Sequence, residues 1–258
     1  MAPARPRSNV VGLGVGVKWK NGQPTGEPAL VVLVTHKLAK EEVSAADLVP
    51  PKLADMQTDV LAIGYPIAGG GEPQAGSQTL TKRIRPAKGG YSVGHKNITA
   101  GTIATCVYDL LPGGSTNPPV HGVGIPPKYY VLSNNHVLAN SNNANLGDAI
   151  LQPGPYDGGT DPADRIATLS RFIPINFAAG AGNLVDAAIA GGEFHDLDRE
   201  IYWNGCVRGW RRKQHVSVGT LVKKTGRTTN FTTGRITTIN ATINVSYGGG
   251  KVARLTDQ

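Results

Sequence analysis

The sequence predicts a mostly β protein, with short antiparallel strands closed into a barrel or sandwich behind a small α/β N-terminal module. Three observations carry this expectation. Glycine (34) and proline (18) are abundant among the 258 residues and aromatics are only 6%, a mix that favours many turns over long helices. Runs rich in Val, Ile and Thr recur with turn residues between them. Hydrophobic residues make up 40% of the chain, enough for a real core, yet no apolar run approaches the length of a membrane span.

The first expected unit is residues 1–65. "NVVGLGVGVKWK" alternates small and apolar residues, "NGQPTGEP" supplies turn chemistry and "ALVVLVTH" is a β-branched run, so residues 9–36 read as two strands. "KLAKEEVSAADLVP" has helical composition, with Ser44 as an N-cap for a short helix. "TDVLAIG" (58–64) reads as a third strand. The glycines of "GLGVGV" lack the third glycine of a dinucleotide fingerprint, and a strand follows them where a helix is required, so no cofactor is expected.

Residues 66–87 read as a linker, "PIAGGGEPQAGSQ", followed by a basic segment. Beyond it short strands alternate with turns to the end. "GTLVKKTGRTTNFTTGRITTINATINVSY" predicts two or three consecutive antiparallel strands. His195, Asp196 and Asp198 in "GGEFHDLDREI" read as a solvated loop, because no second ligand cluster accompanies them, and no metal is expected. The net charge of +8 is partly clustered at 81–88, 208–215 and 223–227, but no nucleic-acid motif accompanies it, so a solvated basic surface is the expectation. Cys106 and Cys206 both have apolar neighbours and read as two buried free thiols. The basic N-terminus has no apolar segment behind it, which predicts a cytoplasmic protein without membrane partners.

Two residues stand out. In "YYVLSNNHVLAN" a strand runs into a turn that carries His136. Fifty residues on, "NLVDAAIA" embeds Asp186 among apolar neighbours. An unpaired buried carboxylate costs several kcal/mol, on the order of 3–5, so Asp186 needs a partner. An imidazole N–H is a suitable one, and pairing leaves the other ring nitrogen free as a general base.

The two segments "YYVLSNNHVLAN" and "VDAAIA", in this order, resemble the trypsin-like (chymotrypsin-fold) serine peptidases, and "VKKTGRTTNFTTGRI" resembles the early strands of their second barrel. The narrow-leaf-type group, which carries an extra N-terminal module, is the nearest likeness. The resemblance implies two antiparallel six-stranded-type β-barrels: the first at 88–200, holding His136 as base and Asp186 as its orienting acid, and the second at 201–258. It implies serine endopeptidase activity on protein or peptide substrates. The sequence departs from the family in one respect: it contains no Gly-x-Ser-Gly. Ser217 and Ser246 follow Asp186 in strand-like runs, and Ser115 precedes His136, so no nucleophile is assigned. The second barrel is therefore expected to be incomplete, with Gln258 the end of a fragment. Its exposed edge is expected to pair with a separate C-terminal segment carrying the serine or with a second copy of the chain. Two other readings remain at this point: a non-catalytic binding or scaffold protein on the same fold, and a basic nucleic-acid-associated protein.

Overall fold

The computed structural model describes residues 9–69 and 78–258. The expected linker falls largely on 70–77, and the basic N-terminus on 1–8, both outside the described residues. The protein is mostly β, with 43% of residues in strands and 5% in helix. No helix among the described residues is long and apolar enough to cross a membrane.

One seven-stranded sheet curls into a half barrel. In order across the sheet its strands are Gly101–Thr102, Ser92–His95, Ala149–Leu151, Arg165–Phe172, Ala188–Gly192, Tyr129–Ser133 and Thr105–Val107. The two outermost strands are joined by Ile103 and Ala104 alone, so the ends of the sheet are tied together by consecutive residues. Only a sheet bent round on itself satisfies that link. Val93, Ile103, Val131, Ile150, Leu169 and Ala190 fill its interior, each almost wholly buried.

A second seven-stranded sheet runs Gly182–Asn183, Val252–Leu255, Thr238–Ser246, Val10–Lys20, Gln23–Val34, Met56–Ala62 and Lys52–Leu53. It joins strands within residues 10–62 to strands within 238–255: Val10–Lys20 pairs on one side with Gln23–Val34 and on the other with Thr238–Ser246. The hairpin between its first two strands closes through Asn21 and Gly22, both at positive φ (50° and 75°), the geometry that an Asn-Gly turn supplies. The glycines of "GLGVGV" have their reason here. A Cβ on Gly12 would stand 2.4 Å from the Thr242 carbonyl oxygen, and one on Gly14 would stand 2.3 Å from Thr238 Cγ2. The motif admits a close strand at a bulged register.

Two expectations are corrected. Residues 37–50 form no helix beyond a single 3₁₀ turn at Lys40–Glu42, followed by a turn in which Ser44 Oγ donates to Asp47 (2.8 Å). Nothing in the 3₁₀ turn is buried, and so short a helix does not persist without an apolar face to pack. Cys206 is exposed, whereas Cys106 is buried. Gly205–Cys206 is a short edge pairing with Glu200–Ile201, and the apolar neighbours Trp203, Val207 and Trp210 are exposed with it. The run 219–247 does give three strands. Leu221–Gly226 and Asn230–Arg235 form a hairpin, but Thr238–Ser246 leaves it to join the N-terminal strand.

Candidate active site

Tyr129–Ser133 and Ala188–Gly192 are antiparallel neighbours, with Ser133 opposite Ala188. His136 comes three residues after the end of the first strand, and Asp186 two residues before the start of the second. Antiparallel pairing therefore brings residues 50 positions apart to one rim of the half barrel. After Ser133 the chain caps at Asn134, in extended conformation, and makes one helical turn, Asn135–Leu138. Val137 and Leu138 drop into the core, and His136 is left at the rim with its side chain one-fifth exposed.

The turn is held by asparagines. Buried Asn135 donates to the Ile173 carbonyl (2.7 Å) and to Asn142 Oδ1 (2.8 Å), and it accepts from the Asn142 N–H (3.1 Å). Asn142 stands at φ 74°, a left-handed backbone that asparagine tolerates. Exposed Asn134 donates to the Asp186 carbonyl (2.9 Å) and fixes the two strand ends together.

His136 Nδ1 lies 2.6 Å from Asp186 Oδ2, and the His136 backbone N–H donates to Oδ1 (3.2 Å). A carboxylate only accepts, so Nδ1 carries the proton and the lone pair of a neutral ring sits on Nε2. Tyr247 contributes a third donor: its hydroxyl reaches Asp186 Oδ2 at 3.0 Å, and its ring meets the His136 ring edge-on, centroids 5.8 Å apart. Burial alone would raise the Asp186 pKa. The hydrogen bond and charge of His136, with the Tyr247 hydroxyl and the backbone N–H, outweigh it and hold the carboxyl below its ordinary value. Burial first, then the Asp186 charge and the hydrogen bond to it, push the Tyr247 phenol far up, so it stays a donor.

The sequence suggested that apolar neighbours would bury Asp186. The two that precede it do not: Leu184 and Val185 are exposed, while the Asp186 side chain is only 7% exposed. His136 and Tyr247, the latter just past a strand of the other sheet, both pack against it. Sequence reasoning missed Tyr247. It follows Thr238–Ser246 and precedes three glycines at positive φ, whose tight turn closes with the Tyr247 N–H on the Lys251 carbonyl (2.9 Å).

A second His–Asp pair gives the contrast. His95 is 1% exposed, its Nδ1 accepts the Asn97 N–H (3.1 Å), and its Nε2 faces Asp148 Oδ2 at 3.1 Å. Both ring nitrogens are occupied, so this imidazole is a structural member. Lys96 above all, then the Asn145 N–H and His95, hold Asp148 well below the usual carboxylate range. His136 differs in having no hydrogen-bond partner on Nε2 among the described residues, and in lining an open cleft of about 240 Å³ with Thr102, Asn134, Lys224, Thr228 and Thr229.

His195 is exposed, 3.8 Å from Asp196. Ser217 is exposed and Ser246 sits in the strand opposite Val252. The arrangement at 136 and 186 can take a proton at Nε2, stabilise the resulting cation and return the proton. No protein-family model matches the chain, and no curated protein matches it in sequence.

Proposed function

We propose that the chain carries the base and orienting acid of a trypsin-like serine endopeptidase. The supporting observation is the 2.6 Å contact of His136 Nδ1 with Asp186, with Nε2 unengaged beside a cleft. In this reading Nε2 takes the proton of a serine hydroxyl as it attacks the scissile carbonyl, then delivers it to the leaving amine. Asp186 fixes the tautomer and stabilises the imidazolium. The half-barrel sheet fits the first barrel of such a fold, since its two end strands are one bent segment and six strands remain around the core. Of the residues 201–258 expected in a second barrel, Leu221–Gly226 and Asn230–Arg235 form a hairpin of their own, while Thr238–Ser246 and Val252–Leu255 belong to the sheet of the N-terminal strands, so no closed second barrel supports the reading. Within residues 1–258 no nucleophile or oxyanion hole is assigned, and the serine is taken to lie on another segment.

The test is an active-site-directed fluorophosphonate applied to the complete gene product. Labelling that His136→Ala abolishes, while His95→Gln folds and retains it, supports the reading. Equal labelling of wild type and His136→Ala sinks it. Absence of labelling in the wild type also sinks it, and leaves a peptide-binding protein on this fold.

A further inference from the structure

We infer that the cleft beside His136 continues into a cationic subsite, centred on Lys224, that recognises a carboxylate of the peptide substrate. The inference rests on the peptidase reading for the identity of the ligand as a peptide. Two cavities share one wall. The cleft of about 240 Å³ that holds His136 and a neighbouring one of about 570 Å³ are both lined by Thr102, Asn134, Lys224 and Gly226. The larger adds Lys223, Ile201 and Val207 among its lining residues. Among the described residues, no acidic side chain lines either cavity.

The charges in this wall are of two kinds. Arg227 is already neutralised: its Nε and Nη2 each lie 2.6 Å from a carboxylate oxygen of buried Asp157, with Ser92 on the same carboxylate. Lys224 is not. Its Nζ donates to Thr229 Oγ1 at 2.6 Å, and it forms no ion pair among the described residues. Lys223, the next residue, forms none either. Gly226 keeps the approach open. A Cβ there would stand 3.1 Å from Thr229 Oγ1, 3.6 Å from Lys224 Nζ and 3.9 Å from Thr102 Oγ1, so an ammonium and two hydroxyls converge on the space a side chain would fill. An ammonium presents donors only and a hydroxyl can add another, which matches the acceptor-only chemistry of a carboxylate. A Lys ammonium on an exposed hairpin also attracts its ligand over about one Debye length, roughly 8–10 Å, so the preference is salt-dependent.

Two sources present this group: an Asp or Glu side chain near the scissile bond, or the α-carboxylate of a peptide end. The experiment is fluorescence-anisotropy titration of the protein with labelled peptides. One is acetylated and amidated with a central Glu, the second is its Gln isostere, and the third is the Gln peptide with a free C-terminus. The expected result is binding of the Glu peptide about ten-fold tighter than the Gln peptide at low salt, shrinking at high salt, with Lys224→Gln abolishing the difference and Lys223→Gln reducing it. Preference for the free C-terminus, lost in the same variant, supports the subsite and assigns the α-carboxylate. Equal affinity of all three peptides overturns the inference, as does a Glu preference that survives both substitutions. A single-stranded oligonucleotide that outcompetes the Glu peptide overturns it too, in favour of nucleic acid. Fluorophosphonate labelling without a carboxylate preference removes this inference alone. A carboxylate preference without labelling removes the peptidase reading alone.

Discussion

Tyr247→Phe tests the architecture of the pair most directly. The substitution deletes one hydroxyl and keeps the ring, so the edge-on contacts with His136 (5.8 Å) and Phe177 (5.3 Å) remain. What is lost is a hydrogen bond of 3.0 Å to a buried carboxylate. Bonds to charged groups contribute about 1.5–3 kcal/mol. The carboxylate is not orphaned, because His136 still supplies two donors, so the loss falls towards the low end, about 1–2 kcal/mol. For a chain of this size that is a fall in Tm of roughly 2–8 °C.

The sign of the pH dependence follows from Asp186. Its folded pKa lies below its unfolded value of about 3.9, so its contribution is complete above that value and is lost as pH falls through the folded one. The Tyr247 hydroxyl is part of what lowers it. The stability gap between wild type and Tyr247→Phe is therefore full at pH 7 and narrows below about pH 4. Urea denaturation at pH 7, 5 and 3 measures it. Equal stability at pH 7, or a gap unchanged down to pH 3, would refute the assignment of Tyr247 as a donor to an ionised Asp186.

Three further outcomes are expected. Gly101→Ala places a Cβ 2.4 Å from Val137 Cγ2, one residue from His136; it should cost about 1–3 kcal/mol by overpacking, while Gly234→Ala, with nothing nearer than 3.9 Å, should be neutral in the same melt. A thiol reagent should modify Cys206 at once and Cys106 only on unfolding, since Cys106 is buried and its pKa is pushed up to about 12, chiefly by that burial; native titration should count one thiol per chain and denatured titration two. Arg227→Met leaves Asp157 buried without its bidentate partner and should lower stability by about 3–5 kcal/mol, and a loss under 1 kcal/mol would show that the pair is hydrated.

The mostly β character, the first two strands and the pairing of residue 136 with residue 186 were all legible in the sequence. Each depends on local chemistry: turn residues, β-branched runs, and the need of a carboxylate among apolar residues for a partner. What the sequence could not supply was the cover for that partner. Leu184 and Val185, apolar in sequence, face solvent, and a tyrosine just past a distant strand reaches the carboxylate instead. The same is true of Cys206, whose apolar neighbours belong to an exposed edge. The glycines of "GLGVGV" also kept their reason hidden, since it lies in a strand more than 220 residues away. Local preferences are set by neighbours in the chain. Burial, strand order and the engagement of each imidazole nitrogen are set by whatever packs across the gap, and only the folded arrangement of both sheets decides that.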